Sequence, residues 1–298
     1  MIIGDQNEVT IAVLEAMEKT PDPRLREILT LMIKHLHGFI REAKLSEEEF
    51  QQACNFIVRM GQKSDASHNE VVLMAGSLGV SSLVCLLNNG NKGQTETSAS
   101  MLGPFWRLDS PITQNGGSIV RSETPGPALF VNGRVVDQNG APITDAIIDV
   151  WQSSPEGLYE NQDPSQADMN LRGRFRSDAD GKFWFRSVMP AGYPIPVDGP
   201  VGDFIRAVQR PHNYRPAHVH FLIYRPGFKT LISQIYVNDD PLLETDVQFG
   251  VTKALIGNFV RHDEAHPTER DAGSPWYSLD HLYKMEAGEA VLPRPPIK

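Results

Sequence analysis

Apolar positions recur at helical spacing through the first part of the chain and give way to alternation in the rest. After Thr20-Pro21-Asp22-Pro23, a favourable helix start, Leu25, Ile28, Leu29, Met32, Ile33, Leu36 and Ile40 fall on one stripe. Ser46-Glu47-Glu48-Glu49 has the form of a capping box ahead of Phe50, Ala53, Phe56 and Ile57, which predicts a second helix. A third is predicted over Asn69 to Leu87, weakened at Gly76 and Gly79, because an interior glycine costs about 1 kcal/mol against alanine. The turn-rich Asn88-Asn89-Gly90-Asn91-Lys92-Gly93 marks the expected boundary, giving a helical domain over 1–100 and a second domain over 101–298.

From Ala128 onward short alternating runs predict strands over Ala128–Val136, Ala146–Gln152, Arg174–Ser177, Lys182–Val188, Ala217–Tyr224 and Leu231–Val237. Turn pairs Asn139-Gly140, Asp180-Gly181 and Pro226-Gly227 separate several of them, and this spacing predicts an antiparallel sandwich. The fold class is therefore α+β, helices first and sandwich second. In the run from Ala217, the apolar Ala217, Val219, Phe221 and Ile223 share one parity and His218 and His220 the other. A strand there turns both imidazoles to the face opposite the core.

Composition narrows what such a face can do. A chain of 298 residues with 40% hydrophobic positions can bury a sizeable core, and a net charge of -9 argues against a nucleic-acid partner. Cys54 and Cys85 sit far apart in helix-like surroundings and read as reduced packing residues of a cytoplasmic protein. No basic region precedes an apolar run at the N-terminus, and no apolar stretch reaches bilayer length, so membrane insertion is not expected. Neither a glycine-rich phosphate loop nor a nucleophile elbow is found.

Two imidazoles on one strand face make half of a metal site, although a His-x-His pair by itself also fits a plain polar face. The tyrosines upstream favour the metal. Tyr193 is pinned between Gly192 and Pro194, and Tyr159 follows Gly157-Leu158 just after a predicted strand; neither lies in an apolar run.

Gly157-Leu158-Tyr159-Glu160, Tyr193-Pro194-Ile195-Pro196, Arg215-Pro216-Ala217-His218-Val219-His220-Phe221 and Ser233-Gln234-Ile235-Tyr236 resemble, in order, the motifs of the intradiol ring-cleaving dioxygenases, over about the last two-thirds of the chain. The resemblance implies ferric iron held by Tyr159, Tyr193, His218 and His220. The donor chemistry agrees. A phenol stays protonated near neutrality unless a cation lowers its pKa, and Fe(3+) has the charge to do so. Zinc with two His and a carboxylate is the runner-up, but no carboxylate stands at suitable spacing. By the same resemblance a catechol-type ring is cleaved by dioxygen between its two oxygenated carbons, to a dicarboxylate, and Tyr193 is the ligand that departs.

Arg215, three residues before His218, is expected to stabilise developing anionic charge. Gln234 is expected to face His220 if the hairpin at Pro226-Gly227 has an odd-length loop, and to flip into the core if the loop is even. Met101, Leu102, Gly103 and Pro104 correspond to a pocket wall, with Leu73 and Gly76 on the third helix. Asn161-Gln162-Asp163-Pro164 and Asn170-Leu171-Arg172-Gly173-Arg174-Phe175 look most like the hydroxyquinol-cleaving members, which implies 3-hydroxymuconate, the tautomer of maleylacetate, as product. One departure stands out: an acidic residue expected on the third helix in such pockets is matched by Gly76. Catechol or a chlorinated catechol is the alternative substrate. From other classes come a metal-free, transthyretin-like sandwich that binds a small ligand, and a zinc hydrolase. The resemblance also implies a homodimer through the N-terminal helices, with phospholipid at the interface.

Overall fold

A computed structural model describes residues 2–65, 68–89, 99–208 and 210–296. Most of the expected break, residues 90–93, lies outside the described residues. The chain divides into two compact units, Met1–Arg59 and Met60–Lys298.

The first unit holds α1 (Gln6–Met17), α2 (Pro23–Ala43) and most of α3 (Glu47–Lys63). Local chemistry sets their ends. Asp22 caps α2 by accepting from the Leu25 amide at 2.7 Å, with Pro23 at the first helical position. The expected capping box of α3 is formed in both directions: Ser46 Oγ accepts from the Glu49 amide at 3.2 Å, and Glu49 accepts from the Ser46 amide at 2.8 Å.

In the second unit the expected third helix is two, α4 (Glu70–Ser77) and α5 (Val80–Asn88), bent by 77° at Leu78-Gly79. Gly79 takes a φ of 71°, a conformation only glycine adopts cheaply, and so breaks the helix where sequence had marked a weak point. No single helix among the described residues is long and apolar enough to cross a membrane. The compact units divide between Arg59 and Met60, ahead of the boundary expected at residue 100. Leu73 and Met74 of α4 pack on Ile195, Val201 and Ile205, which ties that helix to α6 (Pro200–Ala207) in the same unit.

The sheets follow from strict alternation. One is β10-β11-β1-β4, built from β1 (Ala128–Asp137), β4 (Lys182–Val188), β10 (Phe259–His262) and β11 (Trp276–Met285). The other is β3-β2-β7-β8-β9, built from β2 (Ile147–Gln152), β3 (Arg172–Arg176), β7 (His218–Tyr224), β8 (Leu231–Val237) and β9 (Ile256–Gly257). β5 (Tyr193–Pro194) and β6 (Tyr214–Arg215) form a short pair of their own. Most ladders are antiparallel, as expected; β1 with β11 and β8 with β9 run parallel. Val131, Val135, Ile148, Val150, Phe183, Phe185, Val219, Phe221, Ile223, Ile235, Leu279 and Tyr283 share one buried core. Val219, Phe221 and Ile223 thus face that core, which leaves the imidazoles of β7 on the opposite face, where Leu222 lies in a second buried cluster.

Candidate metal centre

Each functional side chain is delivered by a different local device. His218 and His220 come from the period of β7. Tyr193 lies on β5, directly paired with Arg215 of β6. Tyr159 comes from the loop after β2, and that loop is zipped to the segment leading into Tyr193. Ser153 Oγ donates to the Ala191 carbonyl at 2.8 Å, and the Ala191 amide donates to the Ser154 carbonyl at 3.3 Å. Gly157, at φ 79°, lets the two backbones close: a Cβ there would stand 2.7 Å from the Gly192 carbonyl oxygen.

The result brings all four donors together. The Tyr159 and Tyr193 ring centroids are 5.4 Å apart, those of Tyr193 and His218 5.5 Å, and those of His218 and His220 4.7 Å. All four residues are buried, none exposed beyond 5%. Two aromatic rings frame them, of which sequence reasoning missed Trp151. Phe105 stacks on Tyr159 at 4.2 Å, and Trp151 stacks on His220 at 4.6 Å with planes 10° apart. Trp151 is also the cross-strand partner of His220, so the register of β2 on β7 would have revealed it.

The hydrogen-bond inventory shows what the cluster lacks. Among the described residues the Tyr159 and Tyr193 hydroxyls have no hydrogen-bond partner, nor does His220 Nδ1. His218 Nδ1 lies 2.7 Å from the Pro216 carbonyl and must donate its proton there, which leaves Nε2 as a lone pair. That Nε2 lies 3.1 Å from Nε2 of His220. Burial pulls His218 down to about 3, with the Arg215 charge adding to it, and draws His220 well below its ordinary value, helped by His218. Both rings are therefore neutral, the form of imidazole that can bind a metal. Tyr159 is pushed well above the usual phenol range, first by burial and then by the neighbouring Tyr193, so it ionises only where a strong cation repays the cost. Two orphaned phenols and two convergent imidazoles, all without carboxylate or thiolate company, fit a ferric ion. Among the described residues no group of three or more His, Cys, Asp or Glu side chains could hold a metal, so the His₂-carboxylate pattern of a zinc site is not found.

Arg215 is 4% exposed beside this cluster, and its setting is denser than the sequence suggested. Its Nε and Nη2 each donate to Asp246 at 3.2 Å; Nη2 also reaches Gln234 Oε1 at 3.0 Å and the Tyr236 hydroxyl. Burial alone would lower the Arg215 pKa, but Asp246, then Tyr236 and Tyr193, outweigh it and hold the guanidinium charged. Nη1 makes no hydrogen bond among the described residues. Gln234 pairs across the sheet with His220, and Tyr236 with His218. The residues between the paired Ile223 and Leu231 number seven, the odd length that puts the amide on the imidazole face. Its Nε2 donates to the Met101 carbonyl at 2.6 Å.

The expected pocket residues divide. Met101 is held by Gln234, a Cβ on Gly103 would lie 3.1 Å from His220 Cε1, and Leu102 packs with Trp151, Tyr159 and Tyr193. Pro104 is exposed on the adjoining turn. Leu73 packs on the cluster of Ile195 and Val247, and Gly76 is buried against Gln248.

A buried ion pair anchors Tyr159 from behind. Glu160 accepts from Arg172 Nε at 2.7 Å and from Arg107 at 2.8 Å, while Arg172 Nη1 holds the Phe105 carbonyl at 2.6 Å. Removing Arg172 leaves Glu160 with only its more exposed partner. Arg172→Met is expected to cost about 3 kcal/mol in urea unfolding, the lower range for one partner of a buried pair. It should also lower metal content, because Phe105 and Tyr159 lose a shared anchor. A loss below about 1 kcal/mol would mark the pair as dispensable.

Comparison with known proteins gives a consistent set of relatives. Residues 101–277 match a family model described as dioxygenase, and residues 22–96 one described as catechol dioxygenase N terminus. A hydroxyquinol 1,2-dioxygenase of a Rhizobium species is 39% identical over 92% of both chains. A catechol 1,2-dioxygenase of Candida albicans is 36% identical over 95% of this chain and 93% of its own. The crystal structure of hydroxyquinol 1,2-dioxygenase from Pseudomonas putida superposes with a TM-score of 0.84 at 37% identity, covering 95% of this chain and 99% of that one.

Proposed function

We propose, from the premise that this chain belongs to the intradiol ring-cleavage dioxygenases, that it inserts both atoms of dioxygen into hydroxyquinol, giving 3-hydroxymuconate and its tautomer maleylacetate. The observation that carries the reading is the convergence of two unpartnered phenols and two neutral imidazoles beside a buried, charged arginine. Tyr159, Tyr193, His218 and His220 would hold the iron. Once bound, ferric iron draws electron density from a chelated diol ring and opens a ring carbon to dioxygen.

The remaining work falls to the chain itself. Tyr193 would hold the metal as a phenolate, and its Oη would then take up a proton from one substrate hydroxyl and become the phenol, because Tyr193 sits on a strand of only two residues, whereas Tyr159 is locked by Phe105 and the Glu160 ion pairs. Arg215, fixed by Asp246, offers Nη1 to negative charge as it grows on the ring oxygens. Gln234 orients that guanidinium through Oε1 and ties it to the Met101 wall through Nε2. Phe105 and Trp151 keep water from the donor atoms and fix the ring planes.

Hydroxyquinol is favoured over catechol by the 39%-identical Rhizobium relative and the 0.84 superposition, both on hydroxyquinol enzymes. Leu25, Ile28, Met32 and Leu36 of α2 are each close to half exposed, which supports a second copy, with phospholipid, covering that stripe. Cys54 and Cys85 are free, in keeping with a cytoplasmic setting. Oxygen uptake by the iron-loaded protein on hydroxyquinol, catechol and 4-chlorocatechol tests the assignment. The expected result is a kcat/KM for hydroxyquinol at least about tenfold above the others, the discrimination one well-placed polar contact can supply. A catechol preference would replace the substrate and leave ring cleavage standing; no uptake on any diol would end the reading.

A further inference from the structure

We infer that Glu70 is a positioning residue for Tyr193: its buried carboxylate fastens the far end of the chain excursion that carries Tyr193 on its stem. The inference rests on the reading of Tyr193 as a metal ligand, given above, and deepens it.

Tyr193 and Arg215 stand opposite each other in the β5–β6 pair. The chain between them, α6 included, is one excursion that leaves the site at Tyr193 and returns to it at Arg215. Its stem is short. Beyond the paired residues, the Ile195 amide donates to the Asn213 carbonyl and the Asn213 side-chain amide to the Ile195 carbonyl, both at 2.8 Å. A two-stranded pair of this size is marginal by itself, so contacts at the tip help to set how Tyr193 sits.

The tip is α6, and its first turn brings no cap of its own. Gly199 occupies the N-cap position and offers no side chain to the free amides there. Glu70 of α4 supplies the acceptor from outside. Its Oε1 takes the Val201 amide at 2.8 Å, and its Oε2 takes His68 Nε2 at 2.5 Å. The negative carboxylate thus sits at the positive end of the helix. Glycine at 199 admits it, since a Cβ there would lie 2.5 Å from Oε1. Glu70 is 1% exposed, so the bond is made away from water, where it is strongest. The other tie at the tip, Lys63 to Asp198 at 2.6 Å, joins exposed side chains and contributes little. From the cap the path back to the ligand is short. Val201 and Ile205 pack with Ile195, two residues beyond Tyr193, and Arg206 holds the Val197 carbonyl at 3.3 Å. Tyr193 has to stay while the site rests and leave when substrate binds; Glu70 biases that equilibrium toward staying.

Two readouts on the iron-loaded protein test the assignment: hydrogen exchange at the Val201 amide, and the visible absorbance per bound iron that phenolate ligands give a ferric ion. Tyr193→Phe fixes the absorbance for one phenolate. Glu70→Met removes the acceptor and should raise Val201 exchange about tenfold, the loss of one hydrogen bond to a charged group. It should also lower the absorbance toward the Tyr193→Phe value. Gly199→Ala opens the same joint from the other side and should act alike; Gly199 is extended, at φ -129° and ψ -172°, so alanine meets no backbone strain. Glu70→Gln keeps an oxygen for the Val201 amide and should match wild type in both readouts. In a Tyr193→Phe background, Glu70→Met should change the absorbance no further. Val201 exchange that stays slow, an absorbance unmoved once exchange has risen, or an equal fall in both backgrounds overturns the role of Glu70 alone. A wild type that binds no iron, or binds it without a phenolate band, overturns this inference together with the reading beneath it.

Discussion

Replacing His220 with alanine is expected to yield a folded protein that no longer retains iron. His220 is one of two neutral imidazoles whose Nε2 atoms face each other at 3.1 Å, and among the described residues no group of three or more His, Cys, Asp or Glu side chains offers a second place for a metal. Residues that merely orient a metal ligand cost about 10–100-fold in affinity when mutated, so removal of a ligand should exceed that range. Iron per chain, measured by elemental analysis after dialysis, should fall close to zero, and oxygen uptake with it. The fold should tolerate the change. Alanine forfeits the stack on Trp151 but also removes a buried ring nitrogen with no partner, and these effects oppose one another. Iron retained at wild-type stoichiometry would strike His220 from the donor set.

The second large effect is expected at Arg215, in stability and in rate together. Arg215→Leu strands Asp246, which is buried and held low in pKa; burial would raise it, and the Arg215 charge overrides that. Breaking one side of such a pair costs about 3–5 kcal/mol. Loss of the charge that faces the developing anion should separately reduce kcat about 10²–10³-fold. The double variant Arg215→Leu/Asp246→Leu separates the two contributions. With both charges gone the stability should largely return, because well-packed apolar pairs often equal buried ion pairs, while kcat should stay low. Recovery of kcat in the double variant would show Arg215 to be a structural residue only.

How far the sequence could be read depended on periodicity. The parity of Val219, Phe221 and Ile223 against His218 and His220 identified the face that carries both imidazoles, because a strand obeys period 2 whatever packs against it. Gly157 and Gly192 were visible as oddities, yet their joint role, closing one loop on another, needed the backbone path. Tyr236 could have been found: it shares parity with Gln234 on β8 and so faces His218. Asp246 could not, since it lies in irregular chain after β8, where no period links it to Arg215. β11 escaped for a different reason. Its core-facing row Leu279, Tyr283 and Met285 is broken by His281, which blunts the alternation.

The turn between β7 and β8 carries a restriction on how this chain can drift over generations. Pairing of an imidazole with a carboxamide depends on whether the connecting count is odd or even, not on which residues fill it. Gain or loss of a single codon there would send the carboxamide into oil and an isoleucine toward the imidazoles, whereas changes two codons at a time leave the chemistry facing the right way. Length variation at this tip is therefore quantised, even though the tip itself is solvent-facing and touches no reactant.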